Sequence, residues 1–138
     1  MRTKSDEKRQ AILDVAAEVF REAGFERASM SEICARVGGS KATLYNYFPS
    51  KEELFFEVMF LSTEAEFEAT HNALDPATED ISASLCHFGE RFLALLYAPE
   101  VLAVRRLIVA ESGRSDLGRL CYHRGPKRSQ AAVSKFIA

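Results

Sequence analysis

Apolar residues recur every three or four positions along almost the whole chain, and no stretch alternates in the two-residue period of a strand. Ile12, Val15, Ala16, Val19, Phe20 and Ala23 form a first stripe, predicting a helix from about Ser5 to Ala23 that Gly24 ends. Met30, Ile33, Cys34 and Val37 form a shorter one, opened by an S-x-x-E capping box at Ser29 and Glu32. Gly38-Gly39-Ser40 breaks that helix, Ser40 can cap the next from Lys41 to about Phe48, and Pro49 stops it. Ser50 and Glu53 make a second capping box for a long helix from Lys51, with Leu54, Phe55, Val58 and Met59 on one side. Turn residues from Asn72 to Thr78 mark a connector. Ile81, Leu85, Phe88 and Phe92 then predict a helix from about Glu79 to Tyr97, and Pro99 starts another through Val101, Val104 and Ile108 to Ser112. Gly113 and Gly118 bracket a short segment, and Gly125-Pro126 precedes a last helix carrying Ala131, Val133, Phe136 and Ile137. The fold class is therefore all-α, with no internal repeat or low-complexity tract.

The two short helices joined by a tight glycine turn form a helix-turn-helix pattern, with the first helix packed behind them. In the second, at 100° per residue, Leu44 and Phe48 fall on one side and must pack inward. Ala42, Thr43 and Asn46 fall opposite, while Lys41 and Tyr45 flank the inward stripe on one side and Tyr47 on the other. A narrow, small, uncharged face suits insertion into the major groove, with phenol hydroxyls at the rims within reach of phosphates. An ordinary solvated helix face is the alternative, but such a face more often carries Glu and Lys pairs. Lys41 and Asn46 are the candidate base readers, Lys towards guanine acceptors and Asn towards adenine. Tyr45 can contact backbone or a thymine methyl, or pack against the first helix. Ser29 can offer its hydroxyl to a phosphate, act as a helix cap, or do both. Lys51, in the first turn of the fourth helix, is a candidate phosphate clamp.

Charge placement changes this picture only in detail. The net charge is -2, but residues 1–51 carry +2, residues 52–98 carry -9 and residues 99–138 carry +5. The acidic middle should face away from DNA. Arg105, Arg106, Arg114 and Arg119 read as solvated helix faces or partners of that acidic middle rather than a second nucleic-acid surface. The charged start MRTKSDEKRQ is unlike a signal peptide, and no apolar run approaches the ~18 residues of a membrane span. Cys34, Cys86 and Cys121 are odd in number and widely spaced, which points away from a disulfide framework and towards a reducing compartment, the cytoplasm.

The stretch from Arg9 to Met59 resembles the N-terminal DNA-binding domain of the TetR family of bacterial transcriptional regulators, the likeness extending from about Asp6 to Ala65. A-x-x-x-F-x-x-x-G-F from Ala16 to Phe25, T-L-Y-x-Y-F from Thr43 to Phe48, and S-K-E-x-L from Ser50 to Leu54 carry it. Gly39 departs from the pattern, since the family more often has Val after the turn glycine; the loss of that packing contact is expected to loosen the turn. The resemblance implies a DNA-binding domain over 6–66, with a three-helix core, joined by a long fourth helix to a partial C-terminal effector-binding and dimerisation bundle over 67–138. It also implies that Tyr47 and Thr43 contact phosphate. The expected partners are double-stranded operator DNA, a small-molecule effector and a second copy of the chain. Phe88, Phe92, Leu96, Val104 and Ile108 are the candidate effector-pocket lining, with ordinary core as the competing reading. Family members are usually longer, their last helices forming the homodimer interface. A final helix that stops at Ala138 without a cap predicts either a truncated product or dimerisation through another surface.

Catalysis finds little support: there is no G-x-S-x-G, Gly-rich phosphate loop or H-E-x-x-H, and a metal at Cys121 and His123 lacks further ligands at usable spacing. No cofactor is expected. The sequence thus predicts a sequence-specific transcriptional regulator, an effector-responsive repressor binding a palindrome as a homodimer. The alternative is a helical ligand- or protein-binding module that has lost productive operator binding with its dimer helices.

Overall fold

The computed structural model describes residues 1–138 and contains eight α-helices and no strand. They are α1 (Lys4–Arg27), α2 (Met30–Val37), α3 (Lys41–Tyr47), α4 (Lys51–Asn72), α5 (Ile81–Leu96), α6 (Pro99–Glu111), α7 (Leu117–Arg124) and α8 (Pro126–Ile137). The chain divides into two compact units, Met1–Leu61 and Ser62–Ala138, so α4 contributes residues to both.

In the first unit, α1 begins in a reciprocal capping box: Thr3 Oγ1 accepts from the Asp6 amide, and Asp6 Oδ2 accepts from the Thr3 amide. Gly24, at φ 77°, breaks the helix where expected, but one more helical turn follows before Ala28 caps it through the Gly24 carbonyl. Ile12, Val19, Ile33 and Leu54 are wholly buried where α1, α2 and α4 contribute to one core. Each such side chain is worth about 1.5–3 kcal/mol of transfer free energy. Phe20, Phe25 and Phe55 cluster there, with both Phe20 and Phe25 centred 5.0 Å from the Phe55 ring. Leu13, outside the expected stripe, is buried too, so the apolar face of α1 is wider than the spacing suggested.

The two helices of the motif and α4 after them are each capped by the preceding serine. Ser29 Oγ accepts from the Glu32 amide at 3.1 Å, Ser40 Oγ from the Thr43 amide at 3.2 Å, and Ser50 Oγ from the Glu53 amide at 3.1 Å. At Ser29 the other half of the expected box is spent elsewhere: the Glu32 carboxylate accepts from Arg36 at 2.9 Å, and Arg36 also reaches Glu22.

In the second unit Leu74, Phe88, Leu95, Ile108 and Leu117 are buried. Asp80 caps α5 by accepting from the Ala83 amide at 2.9 Å. Ile81, placed in the apolar register of α5 by spacing alone, is 58% exposed, because the first turn projects beyond the core. The segment after α6 also differs from expectation. Gly118 lies in the first turn of α7, where a Cβ would make only ordinary contact with Ser112 Cβ, at 3.4 Å. Arg114 and Arg119 pair with Glu111 and Asp116 on neighbouring turns, while the acidic face of α4 is met by Arg91 on Glu66 and Arg128 on Glu64. No helix is long and apolar enough to cross a membrane.

Candidate nucleic-acid interface

The site is built on α3, whose orientation follows from what it buries. Leu44 and Phe48 are almost fully buried, Phe48 lying under the Arg9 guanidinium at 5.1 Å. With that side fixed inward, Ala42 and Asn46 are exposed, as their positions opposite it predict, and Lys41 and Tyr45, expected to flank the inward stripe, are exposed as well. Tyr45 is 44% exposed, so it is not absorbed into packing against α1. Thr43, expected on the open face, is half-buried, as is Tyr47 at the rim: Thr43 Oγ1 lies 2.9 Å from Ser40 Oγ, and the Tyr47 hydroxyl 3.2 Å from Ser5 Oγ. A hydroxyl both donates and accepts, so each retains capacity for a phosphate oxygen.

Ser29 sits exposed at the start of α2 with its hydroxyl capping the helix. Lys51 is more committed. Its Nζ donates to the carbonyl of Phe25 at 2.8 Å, approaches that of Glu26 at 3.5 Å, and lies 4.3 Å from the Phe25 ring centre. It therefore closes the C-terminal end of α1, where carbonyls lack helical partners.

Two residues of α1 that spacing did not single out frame α3. Lys8 Nζ donates to the Gly38 carbonyl at 3.0 Å at the turn before α3, and Ser5 meets Tyr47 at its end. Lys8 was legible in one respect: it lies four residues before Ile12, in line with the buried stripe, where a lysine is out of place.

The candidate effector residues are partly gathered. Phe88 and Phe92 stack at 5.2 Å, and Phe88 and Ile108 are buried, whereas Phe92, Leu96 and Val104 are half-buried. His71 was missed. Its ring stacks on Phe67 at 4.1 Å and meets the edges of Phe88 and Phe92 at 5.2 and 5.6 Å. Its Nδ1 lies 2.7 Å from the Phe67 carbonyl and its Nε2 2.8 Å from Ser129 Oγ. A carbonyl only accepts, so Nδ1 carries the proton and, in the neutral ring, Nε2 accepts from Ser129. The i, i+4 pair Phe67 and His71 was the available signal; its partner Ser129, 58 residues on, was not.

This fold and this exposed α3 define a helix-turn-helix protein. Comparison with known proteins makes the class specific. Residues 12–58 match the family described as bacterial regulatory proteins, tetR family, and residues 83–138 match the AefR-like transcriptional repressor C-terminal domain. A solved TetR-family transcriptional regulator from Mesorhizobium loti superposes with a TM-score of 0.75 at 30% identity, covering 99% of this chain and 69% of that one. The chain belongs to the TetR family. It is 38% identical over 104 residues to the HTH-type transcriptional regulator UidR of Escherichia coli K12, covering 69% of this chain and 52% of that protein. It is 37% identical over 79 residues to the HTH-type transcriptional activator FasR of Mycolicibacterium smegmatis, covering 57% and 36%. A structure of the flavonoid-responsive regulator FrrA is similar with a TM-score of 0.61 at 34% identity, covering 95% of this chain and 66% of that one. The chain thus spans about a third to a half of the length of these curated relatives.

Proposed function

We propose that this protein is a cytoplasmic transcriptional regulator that binds a palindromic operator as a homodimer and is released by a small effector. One observation carries the DNA reading: burial of Leu44 and Phe48 leaves Lys41, Ala42, Tyr45 and Asn46 exposed on one short helix, with Thr43 and Tyr47 at its rims. In this reading Lys41 and Asn46 read base edges, Ala42 allows close approach, Tyr45 touches a thymine methyl or backbone, and Thr43, Tyr47 and Ser29 hold phosphates. Lys51 joins them by exchanging its hold on the Phe25 carbonyl for a phosphate oxygen.

Repression is supported by the match of the C-terminal half to the AefR-like repressor domain, although FasR is named an activator. An aromatic effector is supported by the Phe67, His71, Phe88 and Phe92 cluster, and the name of FrrA is in keeping with that chemistry. Self-association is supported by exposed apolar side chains of the second unit, including Tyr97, Val109 and Ile137. Selection of random duplexes by the purified chain tests the reading. A two-half-site palindrome is expected; enrichment of single half-sites removes the dimer, and no enrichment removes sequence-specific binding.

A further inference from the structure

The turn before α3 is an unusual piece of backbone to leave unsupported. Gly38 and Gly39 both have positive φ, 82° and 101°, a region that glycine enters freely and L side chains do not. Two such residues in succession give the turn many alternative paths, and each would start α3 at a different angle. Within the motif the turn is tied by the Gly38 amide to the Cys34 carbonyl at 2.9 Å, and by the Cys34 thiol to the Gly39 carbonyl at 3.6 Å. From α1, Lys8 reaches across 30 residues of sequence and donates to the Gly38 carbonyl at 3.0 Å.

The same ammonium borders position 39: a Cβ built on Gly39 would lie in ordinary contact with Lys8 Nζ, at 3.6 Å. Beneath it is a cleft of about 10 Å³, bordered by Ile12, Cys34, Val37 and Leu44, with room for no more than one water. The turn lacks a packed side chain of its own, and Lys8 supplies the contact from another helix.

We propose that Lys8 is the positioning residue of the recognition helix: by holding the Gly38 carbonyl it sets where α3 begins, and so how sharply α3 discriminates between DNA sequences. The proposal rests on the DNA-binding reading above. A positioning role and a phosphate contact are separable by their salt dependence. A lysine that neutralises a phosphate adds about one unit to the slope of log affinity against log salt and acts on all sequences alike. A lysine that aims α3 leaves the slope in place and acts on the preferred sequence.

The test uses the full 138-residue chain and its K8M and K8R variants. Each is titrated with the best selected duplex and a scrambled duplex across a sodium chloride series, with thermal melts alongside. K8M is expected to lose about tenfold on the selected duplex, the effect of one charged hydrogen bond, and less than about twofold on the scrambled one. Its salt slope should match the wild type. K8R, which can also donate to the carbonyl, should recover most of the loss. Equal losses on both duplexes with a slope lower by about one would make Lys8 a phosphate contact and overturn the proposal. Unchanged discrimination in K8M would also overturn it while leaving the DNA-binding reading standing. A wild type without sequence preference would fail that reading first, and this one with it.

Discussion

The firmest link between α4 and α8 is the pair Arg128 and Glu64, and its strength can be predicted from geometry. Arg128 donates twice, Nη1 to Oε2 at 3.0 Å and Nη2 to Oε1 at 2.7 Å, and also reaches the Arg124 carbonyl at 3.1 Å. Its guanidinium lies 4.3 Å from the Phe67 ring centre. The side chains are 37% and 25% exposed, so water screens the pair only in part. Exposed pairs contribute about 0.2–1 kcal/mol, and two parallel bonds place this one near the top, at about 1 kcal/mol. The ring contact adds about 0.5–1 kcal/mol. Arg128→Met should therefore cost about 1.5–2 kcal/mol, Glu64→Gln about 1, and the double variant about as much as Arg128→Met alone.

Denaturant unfolding followed by helical signal, run as a double-mutant cycle from pH 7 to pH 3, measures the coupling. The hydrogen bonds from Arg128 hold the Glu64 carboxyl below its ordinary value, against a smaller upward push from desolvation. A carboxylate with a depressed folded pKa stabilises the fold above its unfolded pKa and loses that contribution as pH falls through the folded one. The coupling should thus hold from pH 7 to about 5 and fade on further acidification. Coupling below about 0.3 kcal/mol at pH 7, or coupling that acid leaves untouched, would refute the reasoning.

Other positions give sharper functional readouts. Asn46→Ala should relax preference at one base position, whereas Tyr47→Phe should weaken selected and scrambled duplexes alike; binding titrations on single-base variants distinguish the two. Gly39→Val restores the residue more usual in the family but places a β-branched side chain at φ 101°. It should lower stability of the DNA-binding unit by about 1–3 kcal/mol in thermal melts, and a neutral result would mean the turn takes another path. Lys51→Met removes the bond to the Phe25 carbonyl. It should cost about 1 kcal/mol of stability without DNA, and a stability unchanged from wild type would show that the carbonyl bond contributes nothing.

What the sequence by itself determined was local. Serines before helices, glycines after them and apolar spacing placed seven of the eight helices within a few residues, α7 being the exception, because caps, turns and helical faces depend on neighbours one to four positions away. The same periodicity foretold that Leu44 and Phe48 would be buried and Ala42 and Asn46 exposed, since burying one side of a short helix leaves the other out, but it put Thr43 on the open face, where the structure half-buries it. The limits of that reasoning show at Ile81, in register yet exposed, and at Gly118, in the first turn of a helix that the glycine spacing did not announce. Only the tertiary structure decided which polar groups meet: Lys8 with Gly38 and Lys51 with Phe25, 30 and 26 residues apart, and Ser129 with His71, 58 apart. A lysine's spacing says which face it occupies, but its long flexible stem reaches many partners. Which one it takes is set by where packing brings a carbonyl within about 3 Å, a distance no local pattern encodes.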